Sequence, residues 1–297
     1  MTGALVDGAG WAERLDRWLF APGSETRLAI VRSGLVVLLG LRIGLGPYRQ
    51  LAGQAGALWR PRSFLHLWPS MPSLGFMVGV QVIGSMAAVA ALVVRRREPV
   101  VVAWLSLLVL AGLRTSLGKV LHNDVLLLLA SVPFLLGPVS FRWRSGDEGL
   151  AWGWPVRAAS VVVAGSYFFA GLMKLRHSGL AWATSGNLRW IMLAGEGRSR
   201  LPGISRFIGD HAVLASLLAA GMLLLELSFP LVLLRPRLAP IFVAAAAVVH
   251  AGGWLTLSLD YWPHLAVVTL VLLAASPRVE SEPDWWALRA AANNKAA

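Results

Sequence analysis

The chain contains no cysteine. This excludes disulfides, thiolate metal sites and cysteine-ligated clusters, and it leaves the redox compartment open, since a cysteine-free protein tolerates either. Lysine is nearly absent as well. Only Lys119, Lys174 and Lys295 occur, and arginine carries the rest of the positive charge. Charge of either sign is scarce: 14% of the 297 residues are charged and 57% are hydrophobic, where a soluble domain carries roughly 25% charged residues. Recognised catalytic and cofactor motifs are also missing. The six histidines include no i, i+4 pair, there is no H-E-x-x-H, and neither a Walker A loop nor a dinucleotide fingerprint is present. No metal is expected.

What the chain does have is long apolar runs, which read as an all-α, polytopic helical membrane protein. The net charge of +12 does not point to nucleic acid. The arginines fall mostly in short segments between apolar runs, a pattern that fits the positive-inside rule and anionic lipid headgroups. The expected partners are membrane lipid or a lipid-soluble molecule such as a quinone.

Residues 1–27 lack the apolar core of a cleavable signal. Trp11, Leu15, Trp18 and Leu19 fall on one helical face, which predicts an amphipathic helix on the cytoplasmic membrane surface. Residues 28–276 form the transmembrane domain, and 277–297 a short cytoplasmic tail. About eight spans are expected, at 28–45, 74–94, 99–117, 121–139, 155–174, 212–234, 239–257 and 263–276. In the second, Gly75 and Gly79 make a G-x-x-x-G spacing suited to close helix contact. The segments 46–73 and 175–211 mix aromatics with arginine, as interfacial or re-entrant elements do. The tight loops set the orientation. Arg95-Arg96-Arg97 and Arg235-Pro236-Arg237 belong inside and Asp260-Tyr261-Trp262 outside, so both termini are cytoplasmic, in a bacterial-type inner membrane.

This topology brings charges to one depth. Arg42, Arg114, Lys174 and the His122-Asn123-Asp124 helix start should lie near the outer ends of their spans, with His250 about two turns deeper. Ionisable residues in spans mark sites or pathways by default. Each has a plainer reading. Lys174 and Arg42 can snorkel to headgroups, Asn123 can cap its helix, and His250 can be a satisfied structural histidine. Arg32 and Glu226 should lie in the inner half, where a structural pair is the expected reading. The choice of lysine at 174 carries most information, because a desolvated lysine can act as a base and arginine cannot. Tyr167, Gly171 and Lys174 share one helical face.

The run Tyr167-Phe168-Phe169-Ala170-Gly171-Leu172-Met173-Lys174-Leu175, followed by Trp182 and Gly186, resembles the core motif of the vitamin K-dependent gamma-carboxylase family. That family includes the bacterial HTTM (horizontally transferred transmembrane) domain proteins. The resemblance implies that Lys174 is the base that starts oxygenation of a reduced quinone of the vitamin K or menaquinol type. It also implies that either His122 or Asn123 takes the place of the family's histidine, and that His250 lies in its later histidine-bearing span. Glu226 followed by Pro230 is similar to the HTTM group. The expected catalytic residues are therefore Lys174, His122 and His250, with Asn123, Tyr167, Arg114, Arg42 and Trp182 binding substrate in an outward-facing pocket. Arg42 or Arg114 is expected to hold the lysine in its neutral form. The likeness covers the membrane region and not the carboxylase's large luminal domain. A quinol-dependent oxygenase, epoxidase or carboxylase activity is the implied function. The rivals are a non-catalytic quinone- or lipid-binding subunit, DoxX-like, and a small-molecule transporter.

Overall fold

The computed structural model describes residues 11–54, 56–61, 63–68, 70–117, 122–143 and 146–275. The side chains of a few further residues inside these ranges, His122 and Asn123 among them, lie outside the description. Almost everything described is helix. In order these are α1 (Trp11–Leu19), α2 (Glu25–Leu45), α3 (Leu74–Val94), α4 (Arg97–Thr115), α5 (His122–Leu136), α6 (Leu150–Ser178), α7 (Ala181–Thr184), α8 (Asn187–Gly195), α9 (Pro202–Asp210), α10 (Ala212–Ser228), α11 (Leu231–Leu234), α12 (Ala239–Leu257) and α13 (Trp262–Ala275). The only strands among the described residues are a two-residue antiparallel pair, Gly23–Ser24 against Glu148–Gly149. This pair ties the entry to α2 to the entry to α6.

Local chemistry explains the boundaries. Ser24 and Ser73 cap α2 and α3, accepting from the amides of Arg27 and Phe76 at 3.5 and 3.2 Å, which satisfies orphan donors of the first turn. Pro230 cannot donate to a helical ladder, and the chain turns at Phe229–Pro230 between α10 and α11. The expected 212–234 span is thus two pieces. In α6 the expected start at Pro155 is five residues late. The helix begins at Leu150 and carries Pro155 in its interior, so it is about 43 Å long at 1.5 Å per residue.

Among the described residues, five helical segments are long and apolar enough to cross a membrane: Glu25–Gly53, Leu74–Val94, Glu98–Thr115, Leu150–Ser178 and Pro236–Leu257. A sixth is formed if α9 and α10, bent by 101° at their junction, count as one. The remaining apolar helices, α5 and α13, are about 20 Å long, short of a hydrocarbon core of about 30 Å. The exterior is apolar as well. Val82, Ile83, Met86, Val89 and Val93 are all exposed along α3, a continuous patch that a water-soluble monomer rarely shows.

The core lies where α2, α4, α5, α6 and α13 meet, filled by Leu28, Leu35, Leu39, Leu107, Leu127, Val163 and Val271. The G-x-x-x-G reading of α3 is corrected. A Cβ on Gly79 would meet nothing within 4 Å, and one on Gly75 only Ser73 Oγ at 3.9 Å. The close approach is at Gly84, where an added Cβ would sit 2.5 Å from Ser106 Cβ on α4. Gly84 lies roughly 140–180° around the helix from Gly79 and Gly75, so α3 turns its 75/79 face away from the bundle.

Candidate functional site

The face of α6 that carries Tyr167, Gly171 and Lys174 is laid against α10. Gly171 makes this possible, since a Cβ there would be 3.0 Å from Glu226 Cβ and 3.1 Å from the Leu227 side chain. With the backbones this close, Lys174 Nζ donates to Glu226 Oε1 in an ion pair whose side chains are 23% and 11% exposed. The ammonium also lies 4.8 Å from the ring centroid of Trp182, a cation–π contact worth about 0.5–2 kcal/mol as solvent is withdrawn. Glu226 Oε2 is buried and has no partner among the described residues.

Two corrections follow. Glu226 pairs with Lys174 and not with Arg32. It lies 14 residues into α10, a helix that packs on α7 and α8 as well as on α6, and the ion pair brings it alongside the last turns of α6. Glu226 is therefore level with Lys174 rather than in the opposite half. The second correction concerns the neighbour of Lys174, which is a carboxylate and not the guanidinium of Arg42 or Arg114.

Two turns back along α6 from Lys174, Tyr167 is stacked on Phe229 with centroids 3.9 Å apart and planes within 7°. Its hydroxyl is 2.8 Å from His250 Nε2. His250 is bordered by His264 and Tyr261, each at 5.1 Å between centroids, and His264 packs edge-on to Tyr167 at 5.3 Å. Burial pushes the Tyr261 phenol above its ordinary value, so it stays neutral and able to donate at neutral pH. Four helices or their ends thus supply one row of aromatic and imidazole side chains beside the ion pair. Glu226 is within electrostatic reach of Tyr167, which joins the row to the pair.

Arg42 and Arg114 belong to a separate cluster. Arg42 at the end of α2 forms an ion pair with Asp124 at the start of α5, the side chains being 8% and 1% exposed. A second contact, Nη2 to Oδ2, is 3.4 Å. Arg114, Tyr48 and Asp260 are within electrostatic reach of this pair. Arg114 Nη1 and Tyr48 Oη are buried without a partner among the described residues. No family model, no curated protein and no solved structure matches the chain. The site is therefore read from its own chemistry.

Of the expected residues, the structure joins Lys174 to Trp182 and Tyr167 to His250, and it sets Arg42 and Arg114 apart from them around Asp124. The expected side-chain positions of His122 and Asn123 lie outside the described residues. Four participants were missed. Glu226 was noticed and given the wrong partner, and Asp124 was read only as part of a helix start. His264 and Tyr261 carried the available signal, since each is a polar aromatic next to the α12–α13 turn that also brings back His250. Among the described residues, no three histidine, aspartate or glutamate side chains come together as a metal site.

Proposed function

We propose that this chain is a multi-pass inner-membrane protein, with eight membrane segments and both termini cytoplasmic, that binds a reduced quinone and takes a proton from it through Lys174. The observation that carries the reading is the Lys174–Glu226 pair, set among apolar helices and flanked by aromatic rings. Charges in such surroundings are costly and by default functional, and this pair falls on the stretch that resembles the gamma-carboxylase and HTTM core. In that reading the two short helices α5 and α13 complete the eight segments, and the Lys174 end of the bundle faces outward.

The residues suit a flat, hydroxyl-bearing ligand. Glu226 Oε2 offers one unused acceptor, Trp182 and Phe229 offer ring faces, and Tyr167 and His250 offer a hydrogen-bonded pair. A reduced quinone supplies an acidic hydroxyl and two electrons. The protein's part is the proton. Glu226 Oε1 takes a proton from Lys174 Nζ, which leaves a neutral amine beside a neutral acid. Nζ then accepts the hydroxyl proton of the substrate and becomes an ammonium facing the negative oxygen. His250 and Tyr167 orient the ligand, and the His250 imidazole is the next proton-accepting group along the row.

The test is to purify the protein into nanodiscs, extract and identify bound lipids by mass spectrometry, and follow oxygen uptake with added reduced menaquinone or vitamin K. A bound quinone together with turnover, slowed at least ten-fold by Glu226→Gln, supports the reading. Absence of both bound quinone and turnover refutes it. One observation favours a second reading, a non-catalytic quinone- or lipid-binding subunit: the amine of Lys174 is already engaged by Glu226 and Trp182. Bound quinone without turnover would select it. A transporter is less favoured, because the α9–α10 bend is the only interrupted segment of its kind among the described helices, and transporter folds pair such breaks in matching halves.

A further inference from the structure

Arg32 is among the most deeply buried side chains of the protein, 1% exposed in the second turn of α2. Its Nη1 donates to Pro138 O at 3.0 Å, and its guanidinium lies 5.3 Å from the Phe141 ring centroid. Nε and Nη2 have no partner among the described residues. No carboxylate there pairs with it. Glu25, two turns earlier on the same helix, accepts instead from Ser140 Oγ at 2.6 Å. The charged group that does act on Arg32 is another cation, Arg97, whose Nη2 donates to Gly137 O at 2.6 Å.

Two guanidiniums thus converge on consecutive carbonyls just past the end of α5, one buried and one exposed. A buried charge without a counter-ion costs several kcal/mol, and unsatisfied buried donors are rare enough to call for a ligand. The carbonyl end of α5 offsets only part of two positive charges.

We infer that Arg32 and Arg97 form a binding site for a phosphate group, carried either by the headgroup of an acidic phospholipid or by free phosphate. Arg97 is at the entrance and Arg32 supplies two free donors behind it, a fork suited to paired anionic oxygens. Phe141, whose ring lies against the Arg32 guanidinium, is in coil between α5 and α6 and not on a helix. The surroundings suit a lipid. Trp143 is 62% exposed and donates to Ser33 Oγ at 3.2 Å, as a tryptophan at headgroup level does. Leu136, next in sequence to Gly137, is 70% exposed, available to an acyl chain. This site is at the opposite end of α6 from Lys174 and is independent of the reaction proposed above.

The test compares thermal unfolding in nanodiscs of phosphatidylcholine alone, of phosphatidylcholine with phosphatidylglycerol, and of phosphatidylcholine with added inorganic phosphate. Native mass spectrometry counts the phosphatidylglycerol retained. The wild-type midpoint should rise by several degrees with one of the two anions. Arg97→Gln and Arg32→Met should lose most of that rise, while the neighbouring exposed Arg96→Gln keeps it. A rise with phosphatidylglycerol only assigns a lipid headgroup, and a rise with inorganic phosphate assigns the free anion. If Arg32→Met does not fold, Arg97→Gln carries the test alone. No rise in the wild type, or an equal rise in Arg97→Gln, overturns the inference. So does an Arg32→Met variant that is more stable than wild type everywhere with the anion effect unchanged, since Arg32 is then a bare buried cation.

Discussion

Replacing Asp124 by asparagine keeps the shape of the side chain and removes its charge. Arg42, whose side chain is 8% exposed, then stays buried beside a neutral amide, with Arg114 close enough to repel it. Breaking a buried pair from one side costs about 3–5 kcal/mol, most of it the desolvation of the charge left behind. Removing both charges with an apolar pair of similar volume is often near neutral. Asp124→Asn should therefore lower stability by about 3–5 kcal/mol, and Arg42→Met with Asp124→Leu should recover most of the loss. Denaturant unfolding in bicelles of wild type, Arg42→Met, Asp124→Leu and the double variant, measured side by side, gives the coupling, and Asp124→Asn is measured beside them. A loss below about 1 kcal/mol, the scale of a solvent-exposed pair, would refute the claim that this ion pair is a buried structural element. A double variant no better than the single one would point to a specific role for the charges themselves.

Other expected outcomes concern single contacts. Tyr167→Phe keeps the stack on Phe229 and loses the hydrogen bond to His250, so stability should fall by about 1 kcal/mol, while Tyr167→Ala should lose about 3–5 kcal/mol; thermal unfolding separates the two. Gly171→Leu forces α6 and α10 apart where an added Cβ already meets Glu226 Cβ at 3.0 Å, and an overpacking cost of about 1–3 kcal/mol is expected. Gly171→Ala should cost less. Because the chain has no cysteine of its own, Gly197→Cys should react with an impermeant thiol reagent in intact cells and Arg96→Cys should not. The reverse pattern would overturn the proposed orientation.

The helical class was legible because apolar runs near 20 residues leave few alternatives. The shared face of Tyr167, Gly171 and Lys174 was also legible, since it needs only the helical period. What faces it was not. Reading 212–234 as one straight span puts Glu226 in the inner half, whereas the structure has a 101° bend before Ala212 and a break at Pro230. Arg32 then lost its expected partner. Asp124 was hidden beside His122 and Asn123, whose side chains drew the attention, although its pairing with Arg42 needs only that the two helix ends lie at one level. Tyr261 and His264 flank a tight turn, and no periodic pattern connects them to Tyr167, nearly a hundred residues earlier.

The central claim is that Lys174 acts as a base drawn from its pair with Glu226, and Lys174→Arg tests it most directly. Arginine keeps the positive charge, can still reach Glu226 and can still lie against Trp182, but it does not release its proton at physiological pH. The variant should insert and unfold like wild type. Its oxygen uptake or epoxide formation with reduced menaquinone or vitamin K in nanodiscs should fall by about 100-fold or more, the scale of a general base, with part of the rate restored by an added small amine. Equal turnover by wild type and Lys174→Arg would contradict the account.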